Sequence, residues 1–166
     1  MIWLEALSYV VTILGFPTAI FIFVTEERRR RANEEKELHR HLSEEYDNFL
    51  RLVMNNADLL LLRRTSLPEP RTEEQLERTE IIFRMLVSLF EKAYIILYEA
   101  NMSGNALRRW LSWEDDMREW CRREDFRKAL PNLLEGEDEE FSRYILKIAQ
   151  ANSGRASNQG PVSAET

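Results

Sequence analysis

Nineteen consecutive residues, Ala6 to Val24, carry no charged side chain. With Ile2 to Leu4 in front of them they supply the ~20 apolar residues that cross ~30 Å of hydrocarbon, so residues 1–24 are expected to form a membrane-spanning helix. A cleaved secretory signal would place basic residues before a shorter apolar core and a small-residue cleavage site after it. Here nothing basic precedes the run, and Thr25, Glu26 and Glu27 lead into Arg28, Arg29, Arg30 and Arg31. Those arginines put the C-terminal side in the cytoplasm by the positive-inside rule and would hold the helix at the inner headgroups. The N-terminus is then outside, with Trp3 and Tyr9 at the outer interface.

Within the span, Ser8, Thr12, Gly15 and Ala19 recur at steps of four, three and four, which is one stripe along a helix. Glu5 extends that stripe outward and Thr18 borders it. Small residues let helix backbones approach and hydroxyls bond across helices. A lone span has no partner in its own chain, so this face is expected to meet further copies. In a pore, Glu5, Ser8, Thr12 and Thr18 would line or border the passage while Gly15 and Ala19 pack closely. Glu5 could ring the mouth and favour cations or simply lie among headgroups. Pro17 removes one backbone hydrogen bond and is expected to bend the inner half of the helix.

The residues beyond the span suit one compact domain. A net charge of −6, from 23 basic and 29 acidic residues, supplies no overall attraction to nucleic acid or anionic lipid, so any such binding must be local. Cys121 stands alone, which excludes an internal disulfide, a CxxC pair and a cysteine zinc site within this sequence. It reads as a small buried apolar residue.

Residues 25–37 alternate acidic and basic runs with almost no apolar side chain and read as a charged helical stalk. From Leu38 the pattern changes. Leu42, Tyr46, Phe49, Val53, Ala57 and Leu60 follow at helical steps, predicting a helix to about Arg64. Pro68 and Pro70 break it, and Thr72 with Gln75 forms a capping box for the next helix. The core of that helix is expected to be Leu76, Ile82, Phe83, Leu86, Phe90, Ala93, Tyr94 and Leu97. The run from Ile81 to Tyr98 is apolar on so much of its circumference that it is placed at the centre of the bundle. A further helix is expected from near Ala106, buried through Leu107, Trp110, Leu111, Trp113, Met117, Trp120 and Cys121. A short piece from Phe126 should stop at Pro131, and a last helix over 137–150 should bury Phe141, Tyr144, Ile145 and Ile148. The polar stretch 151–166 reads as a disordered tail. The fold class is all-α: one N-terminal transmembrane helix followed by a cytoplasmic helical bundle of about four helices over 38–150.

Enzymatic chemistry is hard to place. His39 and His41 lie two apart on a helix and point to different sides, poor geometry for one metal or a catalytic pair. The acidic pairs sit where solvated helices carry charge, and no phosphate loop, GxSxG or HExxH occurs. The chain is therefore read as non-enzymatic, without metal or cofactor. One cluster resembles a ligand surface: Arg108, Arg109, Arg122 and Arg123 accompany Trp110 and Trp113, joining guanidinium groups for phosphate to indole faces for a base. That would suit a nucleotide or oligonucleotide signal. The same tryptophans also fit a bundle core, which is the simpler reading.

The short outer end, the single span, the Arg28–Arg31 cluster, the long charged helix and the aromatic segment from Phe90 through Trp110, Trp113 and Trp120 to Phe126 resemble, as an architecture, the small single-pass membrane effectors of bacterial antiphage defence. These include the channel component of Hailong systems and, more distantly, the Cas13b-associated CRISPR membrane accessory protein. The latter carries a degenerate arginine-to-histidine nuclease motif, and here the gap from Arg31 to His39 is longer than that motif uses. The resemblance implies a homo-oligomeric channel of the bacterial inner membrane, gated by its cytoplasmic domain in response to a signal or to the protein that makes it. The alternative is a membrane-tethered adaptor that recruits a cytoplasmic partner without forming a pore.

Overall fold

A computed structural model describes the backbone of residues 2–63 and 70–156, with side chains described between Ile20 and Asn152 except at 31, 32, 35 and 64–69. Helices account for all regular structure among the described residues. The chain divides into two compact units, Met1–Ser43 and Glu44–Thr166. Helix α1 (Ile2–Asn55) supplies the described part of the first unit and the start of the second.

In the first unit the charged stalk is helical as expected. Arg30 lies 3.3 Å from Glu27 and 3.7 Å from Glu34, exposed pairs that each contribute a few tenths of a kcal/mol. No helix among the described residues is long and apolar enough to cross a membrane. Most of the segment expected to do so, including Glu5, Ser8, Thr12, Gly15, Thr18 and Ala19, lies outside the described side chains.

The second unit is a helical bundle of the end of α1 with α2 (Glu73–Leu97), α3 (Gly104–Trp120), α4 (Glu124–Leu133) and α5 (Glu139–Ala156). Helix α2 touches α3, α4 and α5 and so occupies the expected central place. It starts where the sequence indicated: the Thr72 hydroxyl accepts from the Gln75 amide at 3.1 Å, and the Gln75 side chain accepts from the Thr72 amide at 3.2 Å. Ile82, Phe83, Leu86, Val87, Phe90 and Ala93 form its buried side.

Several expectations need correction. Helix α1 stops at Asn55 rather than near Arg64: the Asn56 side-chain Nδ2 donates to the Leu52 carbonyl at 2.9 Å, its backbone N–H turns to the Val53 carbonyl at 3.1 Å, and its Oδ1 accepts from Arg78 at 2.9 Å. A 3-10 turn over Ala57–Leu59 and a left-handed Leu60 (φ 50°) follow. This turn brings Leu59 and Leu61 into the core, while Ala57 is exposed and Leu60 half-buried. Leu76 is exposed, as are Leu107 and Leu111. Helix α3 opens at Gly104, whose positive φ of 59° favours glycine, two residues before the expected start. Pro131 lies inside α4, not at its end. It forfeits the backbone bond that its position would make to the Arg127 carbonyl, and the helix carries on through it with Leu130, Leu133 and Leu134 buried around it. Helix α5 continues to Ala156, with the Asn152 side-chain Nδ2 donating to the Arg118 carbonyl at 3.1 Å. The expected tail beyond it, 157–166, lies outside the described residues.

Candidate functional site

An exposed apolar surface of the bundle follows from the composition of α2. Opposite its buried side, Ile81 is 52%, Met85 49%, Ile95 62% and Ile96 41% exposed. Ile81, Met85, Ser88, Lys92 and Ile95 follow at steps of four, three, four and three, the spacing of a seam that meets a neighbouring helix. Beside this seam a groove of about 520 Å³ opens between α1 and α2, floored by Phe49 and Leu89 and edged by Glu45, Asn48, Arg84 and Met85. Lys92 bonds Glu45 across it at 3.3 Å, and Arg84 bonds Glu80 at 3.3 Å. With its nearest charges paired and its floor apolar, the groove is suited to a side chain or helix of a partner rather than to a small anion. Helical periodicity found this face but assigned it to the interior.

The arginine–tryptophan cluster is drawn into the core instead. Trp110 and Trp113 are 2% and 5% exposed, so neither presents an indole face for stacking. The Trp110 Nε1 donates to the Tyr144 hydroxyl at 3.2 Å within a nest of rings that includes Tyr94 and Tyr98. Trp113 meets Tyr46 edge-on at 5.5 Å. Burial pushes the Tyr46 hydroxyl up, reinforced by the charge of Asp116; Asp116 is itself raised by burial. Arg123 is 3% exposed. It donates to the carbonyls of Leu60, Leu61 and Arg63 at 2.9, 3.0 and 2.5 Å and forks onto Asp125 at 2.7 and 3.0 Å. Arg122 pairs with Glu119 on the surface, Arg108 is exposed and Arg109 half-buried. The six residues therefore do not converge on one open site.

Of the arginines expected at a membrane interface, Arg28, Arg29 and Arg30 are exposed, and the side chain of Arg31 lies outside the described ones. His41 is exposed and His39 half-buried, the latter with its Nδ1 buried and unbonded. No group of three potential metal ligands occurs among the described residues. Burial pushes the Cys121 thiol up to about 12, which makes it a poor nucleophile. Comparison with protein-family models, curated proteins and solved structures finds no match to this chain.

Proposed function

We propose that this chain is a homo-oligomeric, single-pass protein of the bacterial inner membrane that forms a channel, with its helical bundle on the cytoplasmic side gating it in antiphage defence. The observation that carries the reading is uncovered apolar surface. Ile20, Phe21, Ile22, Phe23 and Val24 form five consecutive exposed apolar residues, and they continue the uncharged run that leads into Arg28. Left in water, such a stretch would drive aggregation; lipid or a neighbouring span removes that cost. Thr25, at the polar end, keeps its hydroxyl on the carbonyls of Phe21 and Ile22 at 2.9 and 2.8 Å, so its oxygen needs no outside partner.

The seam on α2 supports self-association at the level of the bundle, where copies anchored in one bilayer would meet through Ile81, Met85 and Ile95. Gating then amounts to a change in how the bundles pack, transmitted along α1. Reconstitution into liposomes tests this. The native protein is expected to run as a discrete oligomer and to leak ions, and replacing residues 2–24 with polyleucine is expected to abolish leakage. The groove beside α2 favours a second reading, a tethered adaptor, in which a partner's helix fills it. An adaptor would keep its activity with the polyleucine span.

A further inference from the structure

Arg71 stands just ahead of α2, next to the capping residue Thr72, and its side chain is only 11% exposed. For a guanidinium at that depth it is poorly served. Its Nε is buried and has no hydrogen-bond partner among the described residues. The carboxylate it pairs with, Asp125 in the first turn of α4, lies 3.7 Å away, beyond hydrogen-bonding distance. Asp125 is committed elsewhere. Its two oxygens take the fork of Arg123 at 2.7 and 3.0 Å, and Oδ1 also accepts from the Phe126 amide at 2.9 Å. Two buried guanidinium groups therefore share one carboxylate, which leaves one positive charge in excess and a buried donor unsatisfied.

The same arginine lines a cavity of about 220 Å³ between the start of α2 and α4. Leu76, Phe83, Ala129 and Leu133 give it apolar walls. Its Thr79 hydroxyl donates to the Gln75 carbonyl at 2.7 Å. Glu80, also in the lining, is 65% exposed and pairs with Arg84 at 3.3 Å, so its charge is spent away from Arg71. We propose that this cavity binds a small monocarboxylate with an apolar body, its carboxylate on Arg71 and its body against Leu76 and Phe83. A carboxylate matches the planar guanidinium fork and supplies the acceptor that Nε lacks. The charge count selects against a phosphate. One excess positive charge beside Asp125 balances a single negative charge, whereas a phosphate ester carries close to two. The volume sets the size, because drug-sized ligands occupy roughly 300–1,000 Å³. A ligand of the dimensions of benzoate fits; a nucleotide does not.

Titration of the isotope-labelled full-length protein in a maltoside detergent with sodium benzoate tests the site, against sodium chloride at equal ionic strength. The Arg71 Nε–H resonance, identified by its loss in Arg71→Lys, is expected to shift saturably, with a dissociation constant on the order of 1 mM for so small a ligand. Benzoate is also expected to raise the melting temperature of the native protein and not that of Arg71→Lys. Benzamide, which keeps the shape without the charge, should bind at least about ten-fold more weakly, the scale of one charge-assisted hydrogen bond. Phenyl phosphate should bind no more tightly than benzoate. Ala129→Phe, which fills the cavity and keeps Arg71, is expected to retain the resonance and leave it unmoved by benzoate. A native resonance that does not shift, benzamide binding equal to that of benzoate, or tighter binding of phenyl phosphate overturns the proposal. So does an Arg71→Lys protein that benzoate stabilises as much as the native one.

Discussion

Arg123 shows how far a residue's role can lie from its local sequence. In the chain it belongs to a basic run beside tryptophans, and its partners are the carbonyls of Leu60, Leu61 and Arg63. Nothing near position 123 reports those carbonyls. The only local trace is Asp125, two residues on, which completes the fork. Removing this buried charged group takes a partner from the three carbonyls at once, although Asp125 keeps the Phe126 amide at 2.9 Å and Arg71 at 3.7 Å. Arg123→Met is therefore expected to destabilise the bundle by roughly 3–5 kcal/mol, read as a lower urea midpoint. Arg123→Lys should recover only part of this, since an ammonium lacks the planar fork that reaches Asp125 and the carbonyls together. Cys121, two residues earlier, was legible from composition alone as a buried apolar residue. With its thiol raised to about 12 by burial, it is expected to resist a thiol reagent in the native protein and react promptly in urea; rapid native labelling would contradict its burial.

At the level of elements, α2 carries the clearest prediction. Ile81→Glu combined with Met85→Glu should leave the bundle's stability within about 1 kcal/mol, because both side chains are about half exposed and surface changes are small. The same pair is expected to lower the mass of the detergent-solubilised oligomer; an unchanged mass would remove the α2 seam from the assembly. The capping box at Thr72, the buried row from Ile82 to Tyr94 and the aromatic side of α3 were all readable, because each rests on contacts within a helix or on its periodicity. Helix ends were less so. The stop at Asn55 comes with a contact to Arg78, far along the chain, and Pro131 was read as a terminator although α4 runs through it with Leu130, Leu133 and Leu134 buried. The outer face of α2 was misplaced for a different reason. Periodicity shows that a helix has two apolar sides, but not that this chain covers only one of them.

For the whole molecule, the composition of the first 24 residues made a membrane segment the leading expectation, while no helix among the described residues is long and apolar enough to cross a membrane. Moving the stripe outward tests the assembly directly: Thr12→Leu with Gly15→Leu should lower ion leakage and weaken the oligomer together, and no change in either would show that the stripe faces neither pore nor neighbour. The reversal at Leu60 adds a statement about time. Its left-handed backbone is fastened from Arg123, some 63 residues later in the chain. At roughly 5–20 residues per second, a ribosome needs about 3–13 seconds to travel that distance. Throughout that interval the N-terminal residues are already made while the reversal is still unfastened, so the bundle closes only late in synthesis.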